Sequence, residues 1–127
     1  MTANLRSLLS RGARLIEAHG YACLCIGSYA TAASRFAIPD TGLLTLEQLA
    51  AHAKTIAAAV RVPVIADAEA FDGAVPAFEA AGVAAIHIED HTGAGKHTRL
   101  PQKLYPVEEA AERIRAPRSP PAPTRSS

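Results

Sequence analysis

Tryptophan is absent from this 127-residue chain, aromatic residues make up 5% of it, and there is a single methionine, so few large side chains are on hand to anchor a core. Charge of either sign is scarce in excess, with a net of +1. No dense cluster of Lys and Arg occurs, which excludes a nucleic-acid partner. No apolar run approaches the length of a transmembrane helix, so no membrane partner is expected. The first residues, Met1-Thr2-Ala3-Asn4-Leu5-Arg6, lack the charged-then-apolar layout of a signal peptide, which makes the cytoplasm the expected compartment. The only cysteines are Cys23 and Cys25. Their spacing is poor for a disulfide, is not Cys-x-x-Cys, and has no second pair to complete a zinc site. On a strand they share a face, and buried apolar packing is their expected role.

What is present is an alanine-rich chain, 49% hydrophobic, long enough for one domain with a modest core. Apolar residues at 5, 8, 9, 15 and 16 suit a helix from Leu5 to His19, stopped at Gly20. Tyr21 to Ile26 reads as a short strand, Gly27 to Pro39 as mixed, and Ile38 to Gly42 as a turn. Thr45 with Gln48 forms a capping box ahead of a helix whose stripe is Leu46, Leu49, Ala50, Ala53, Ile56, Ala57 and Val60. Val62 to Ala66 is apolar throughout, as a parallel strand covered on both faces is. A helix from about Pro76 to Ala81 stops at Gly82, and Val83 to Ile88 is a further strand. Val107 to Arg115 reads as a last helix, with Pro106 at its start and Glu108 and Glu109 in its first turn.

A weak internal repeat supports this order. Glu17 to Ile26 and Glu79 to Ile88 are identical at five of ten positions. Each copy is a helix end, a Gly stop and an apolar strand, which argues for a parallel α/β fold; convergent composition in an alanine-rich chain is the plainer alternative. From Pro117 the composition changes. Residues 117–127 carry four prolines and no apolar periodicity, so a domain spanning 1–116 is expected to be followed by a disordered tail over 117–127. A polyproline ligand for a partner is the other reading of that tail.

The acidic residues fall where strands end: Asp67 and Glu69 after the run Val62 to Ala66, and Glu89 and Asp90 after Val83 to Ile88, with Asp40 in the earlier turn. Carboxylates at the C-terminal ends of parallel strands are where β/α enzymes keep metal and substrate groups. Asp67, Glu69 and Glu89 converging on one mouth suit a hard cation such as Mg²⁺, with Mn²⁺ as a substitute; solvated loop carboxylates are the alternative. His87 lies inside a strand and reads as a packed or hydrogen-bonded histidine, while His19 and His52 read as surface residues on helices. The Gly-rich segment Thr92 to Thr98 lacks the spacing of a phosphate loop and reads instead as an active-site loop carrying Lys96 and His97.

Three runs together carry a family resemblance: Pro39-Asp40-Thr41-Gly42-Leu43-Leu44-Thr45-Leu46, Val62 to Glu69, and Ala81 to Asp90. With Leu104 to Arg115 they place most of residues 14–116 in a pattern that resembles the isocitrate lyase/phosphoenolpyruvate mutase superfamily. The resemblance implies an α/β fold, a (β/α)8 barrel of the TIM type, of which this chain holds about the first four units, usually as a homo-oligomer. It implies a Mg²⁺-dependent lyase that breaks a carbon–carbon bond in a small 2-hydroxy or 2-oxo di- or tricarboxylic acid through an enolate, on a methylisocitrate-like or oxaloacetate-like substrate. By match, Asp67 is the principal metal ligand, Glu69 stands where the family usually has Asp, and Glu89 holds a metal-bound water. Asp40 matches the family's Pro-Asp-x-Gly carboxylate, and Gly27-Ser28 corresponds to the segment that binds the substrate carboxylate. An ungapped register from Glu89 places His97 where lyases of the family carry their acid–base Cys, with Lys96 in the preceding basic position, so these two are the expected proton-handling residues. The family's Gly-Tyr-Gly-Asn segment after the metal motif is missing, replaced by Ala70 to Ala74. A full barrel needs about 250 residues. The sequence is therefore expected to be a truncated or frame-shifted product, or an open reading frame with internal deletions, to be checked by reading the DNA beyond Ala116 in the other two frames. An inactive fragment that is unstable or dimerises, and a phosphonate mutase or hydrolase, are the alternative functions.

Overall fold

The structure is a computed structural model that describes residues 2–92, 96 and 103–115, with side chains from residue 10 onward. The expected tail over 117–127 and His97 lie outside the described residues. The order of elements is α1 (Thr2–Ala18), β1 (Leu24–Ile26), α2 (Ser28–Thr31) running on into a π-helical stretch (Ala32–Phe36), α3 (Leu46–Ala57), β2 (Val64–Asp67), α4 (Ala74–Ala81), β3 (Ala85–His87) and α5 (Val107–Ile114). The three strands form one parallel sheet in the order β1-β2-β3, the alternating α/β arrangement the repeat implies. Three strands are present among the described residues, against the expected four or so β/α units. Among those residues no helix is long and apolar enough to cross a membrane.

The register explains which side of the sheet is covered. Leu24 pairs with Val64, Cys25 with Ile65 and Ile26 with Ala66; Ile65, Ala66 and Asp67 pair in turn with Ala85, Ile86 and His87. Parallel partners share a face and successive residues alternate. The Leu24–Val64 row packs under α1 and α3 with Ala13 and Ile56. Ala66 joins Leu49, Ala53, Phe78 and Ala81, with Ile26 and Ile86 packed against that cluster. Phe78 is the one large side chain fully inside it, 1% exposed. The other row is Cys25, Ile65 and Ala85 followed by His87; among the described residues no layer covers it, Cys25, Ala85 and His87 being exposed and Ile65 half-buried.

That asymmetry corrects three expectations. Cys25 is not buried, because alternation turns it to the uncovered face, and Cys23 is exposed because it precedes the strand. His87 is exposed rather than packed, since it follows the same row. β1 begins at Leu24, not Tyr21, whose ring is 64% exposed. A fourth correction concerns α3. His52 is buried at 4% exposure, not on the surface, because it shares the inward face with Leu49, Ala53 and Ile56 at helical spacing.

Local signals explain the helix ends. At α3 the Thr45 N–H donates to Gln48 Oε1 at 2.9 Å and the Gln48 N–H to Thr45 Oγ1 at 3.3 Å, the reciprocal box the sequence predicts. Gly82 closes α4 with φ +80°, in the left-handed region. Pro76 sits in the first turn of α4, where it costs no helical hydrogen bond, so the helix starts two residues before the expected Pro76.

Candidate active site

The site is built at the C-terminal ends of β1 and β2. β1 ends at Ile26, and the chain turns at Gly27 into α2, whose first residue is Ser28. β2 ends at Asp67, and two residues on, Glu69 takes φ +50°. A non-glycine residue in that left-handed region carries strain of about 1–3 kcal/mol, which the surroundings must hold in place. The holding contacts are visible: the Glu69 N–H donates to Asp67 Oδ1 at 3.0 Å, and the Glu89 N–H donates to the Glu69 carbonyl at 2.9 Å. The strained turn aims the Glu69 carboxylate back over the strand ends.

Asp40, Glu69 and Ser28 are all buried, at 4%, 6% and 2% exposure. The cation that compensates them is Lys96, itself 4% exposed. Its Nζ lies 2.8 Å from Glu69 Oε1, 3.3 Å from Asp40 Oδ2, and donates to Ser28 Oγ at 2.8 Å. Ser28 Oγ in turn reaches Asp67 Oδ2 at 2.8 Å and Asp40 Oδ2 at 3.1 Å, and the Ser28 N–H donates to Asp67 Oδ2 at 3.2 Å. Burial opposes ionisation of Asp67, but hydrogen bonds from the Glu69 N–H and from Ser28, together with the Lys96 ammonium, outweigh it and hold its pKa below the ordinary value. Burial likewise opposes the charge on Lys96, yet Glu69, Asp40 and Glu89 raise its pKa above the usual lysine value.

Of the residues singled out from sequence, the structure therefore brings together Ser28, Asp40, Asp67, Glu69 and Lys96. Gly27 takes part as the extended residue that caps α2 and delivers Ser28. The Glu89 carboxylate pairs with His91 Nε2, and its charge also acts on the Lys96 ammonium. Asp90 is exposed, and its carbonyl accepts from the Tyr105 N–H at 2.8 Å. His91 is the one residue here that the sequence reading left without a role; its place two residues after Glu89 is the available signal. Beside the cluster lies a cavity of about 270 Å³ lined by Glu69, Phe71, His91, Thr92 and Tyr105, among others.

The oxygen-only donors Asp40, Asp67, Glu69 and Glu89 fit a hard divalent cation by their chemistry. Among the described residues, no three His, Cys, Asp or Glu side chains stand close enough to hold one, and the positive charge within the cluster is the Lys96 ammonium.

A sequence model of phosphoenolpyruvate phosphomutase matches residues 10–124. The chain belongs to that family. The 2-methylisocitrate lyase of Salmonella typhimurium is 33% identical over 113 residues, covering 82% of this chain and 38% of the relative. A crystal structure of 2,3-dimethylmalate lyase, a phosphoenolpyruvate mutase/isocitrate lyase superfamily member, superposes with a TM-score of 0.73 at 28% identity, over 90% of this chain and 46% of the other. A phosphonopyruvate hydrolase in complex with oxalate and Mg²⁺ gives a TM-score of 0.66 at 31% identity, over 80% of this chain and 37% of that one. The chain thus spans less than half the length of these superfamily members.

Proposed function

We propose that the chain carries the metal and substrate-carboxylate portion of a Mg²⁺-dependent carbon–carbon lyase, acting on a small 2-hydroxy or 2-oxo di- or tricarboxylic acid. The observation that carries this reading is the buried cluster of Ser28, Asp40, Asp67, Glu69 and Lys96 at the ends of two parallel strands. Support comes from the lyase names of the 2-methylisocitrate and 2,3-dimethylmalate relatives. On this reading the three-stranded sheet is a segment of an eight-stranded barrel.

By the family match Asp67, Glu69 and Glu89 would hold Mg²⁺, with Mn²⁺ as a substitute, once Glu89 parts from His91 and the three carboxylates draw together, and Asp40 would complete the negative wall. When bound, the ion supplies Lewis-acid stabilisation of negative charge developing on a substrate oxygen. Ser28, at the entry to α2, would donate to a substrate carboxylate. Lys96 would hold or release a proton once out of its ion pairs, and His97, which lies outside the described residues, is the second expected proton carrier. The cavity beside Glu69 has the size for a small carboxylic acid.

A thermal melt of the purified chain with and without Mg²⁺ and oxalate tests the reading. A transition raised by both together supports it, because only binding to the native state stabilises. A melt blind to both removes the enzyme reading. Assays on 2-methylisocitrate and 2,3-dimethylmalate against phosphonopyruvate then separate a lyase from a phosphonate hydrolase or mutase, the alternative kept open by the phosphonopyruvate hydrolase relative. Asp67→Ala abolishes turnover on this account, and activity that survives it removes the metal assignment. A second reading, an inactive piece that pairs with another copy, is favoured by one observation, the bare row of Cys25, Ala85 and His87.

A further inference from the structure

The ammonium of Lys96 is placed unusually for a lysine on a Gly-rich segment. It is 4% exposed, and its Nζ donates to Ser28 Oγ at 2.8 Å and lies in ion-pair range of Glu69 Oε1 at 2.8 Å and Asp40 Oδ2 at 3.3 Å. Through Ser28 Oγ it also touches Asp67, the fourth polar member of the cluster, at one remove. Two buried carboxylates, Asp40 and Glu69, thus lie against one buried ammonium that comes from a different loop of the chain.

We propose that Lys96 is a tethered competitor for the divalent cation, occupying the carboxylates when the metal is absent and leaving them when it binds. The inference rests on the preceding reading that the site takes Mg²⁺. Mg²⁺ binds through one or two carboxylates and keeps several waters. Glu69 and Asp40 cannot serve it while their oxygens hold an ammonium at hydrogen-bond distance, and two cations around the same oxygens repel each other. Both cations draw on the same Glu69 and Asp40 oxygens, so one replaces the other there. By linkage the effect is reciprocal: the ammonium weakens metal binding, and the metal releases the ammonium. Lys96 then becomes free for proton handling only in the metal-loaded site, which ties the two proposed roles of this residue to one event.

The test uses the full chain. Mg²⁺ affinity is measured by titration calorimetry for the wild type and for Lys96→Gln, which keeps a polar head without the charge. Competition predicts that Lys96→Gln binds Mg²⁺ more tightly, by roughly 5- to 150-fold, the usual range for coupled sites. Because that variant removes a buried counter-charge and can fail to fold, a second measurement stays on the wild type: acylation of lysine amines by a water-soluble active ester, read by mass spectrometry, with Lys54 and Lys103 as exposed references. Mg²⁺ raises labelling of Lys96 relative to both if it is displaced. Equal or weaker Mg²⁺ binding in Lys96→Gln, or Lys96 equally protected with Mg²⁺ bound, overturns the competition and leaves the metal site standing. Absence of Mg²⁺ binding in both proteins overturns the competition and the metal reading together.

Discussion

A hydroxyl has one proton to donate, and Ser28 has two carboxylates within reach of it, Asp67 at 2.8 Å and Asp40 at 3.1 Å, while it accepts from Lys96 at 2.8 Å. Removing that oxygen leaves buried charged groups short of a partner, so Ser28→Ala costs about 1–3 kcal/mol in urea unfolding, and a change below a few tenths would mean that water replaces the hydroxyl without loss. The same contacts set an acid limb. The Asp67 pKa is lowered in the folded chain, so its contribution to stability is present above the ordinary aspartate pKa and is lost as pH falls through the folded value. His52 acts in a separate window. Burial, with Arg35 beside it, pushes its pKa from 6.5 down to about 4. Between those two values the unfolded chain takes up a proton that the folded chain refuses, so stability drops as pH falls from 6.5 to about 4, by about 3 kcal/mol at most. Unfolding midpoints measured across that range should flatten in His52→Gln, and a limb unchanged in the variant would assign it to other groups.

At the scale of elements, the capping box on α3 gives the cleanest expectation. Thr45→Ala removes the acceptor for the Gln48 N–H and should cost about 1 kcal/mol, read from the denaturant midpoint at constant slope. That box was legible in the sequence because both of its partners lie within four residues. So were the Gly82 stop, the parallel α/β order and the acidic strand ends. What was not legible depends on contacts far apart in the chain. Gly27 to Pro39 offers no clean period, yet it folds as α2 and a π-helical stretch, because Ser28 is held from across the sheet by Asp67. The inward turn of His52 was available from its spacing to Leu49 and Ile56, but histidine on a helix reads as surface unless that period is followed through. The Lys96 ion pairs could not be read at all, since a loop lysine carries no pattern that names its partners. α5 shows the same limit. It has no buried residue, and Arg113 holds it through Asp72 at 2.9 Å, the Ala70 carbonyl at 3.0 Å and a stack 3.8 Å from the Tyr105 ring. Arg113→Ala should therefore speed amide exchange over Val107–Ile114 while leaving β2 protected; equal protection in the variant would show that α5 is held by something else.

At the scale of the molecule, the decisive fact is that among the described residues one face of the sheet is covered and the other is not. α1, α3 and α4 bury the Leu24–Val64 and Ile26–Ala66–Ile86 rows, while no described element packs over the Cys25–Ile65–Ala85 row. Among the described residues β1 and β3 are also both edge strands, which present unpaired backbone groups to any matching strand. An uncovered apolar row beside two open edges would favour pairing of two copies, since burying it gains about 25 cal/mol per Å² of apolar surface. The two cysteines report on whether this happens. Cys23 lies before the strand and Cys25 on the bare row, and both are exposed in the single chain. In dilute solution both thiols should react with a disulfide reagent at similar rates without denaturant. As concentration rises and copies pair through the bare row, Cys25 should become slower than Cys23, in step with a mass increase seen by sedimentation. Ala85→Lys, placing a charge on the same row, should restore fast Cys25 reaction at all concentrations. A chain that stays monomeric and keeps both thiols equally reactive over the whole range would mean that the exposed row tolerates water, and that the open face is not what selects a partner.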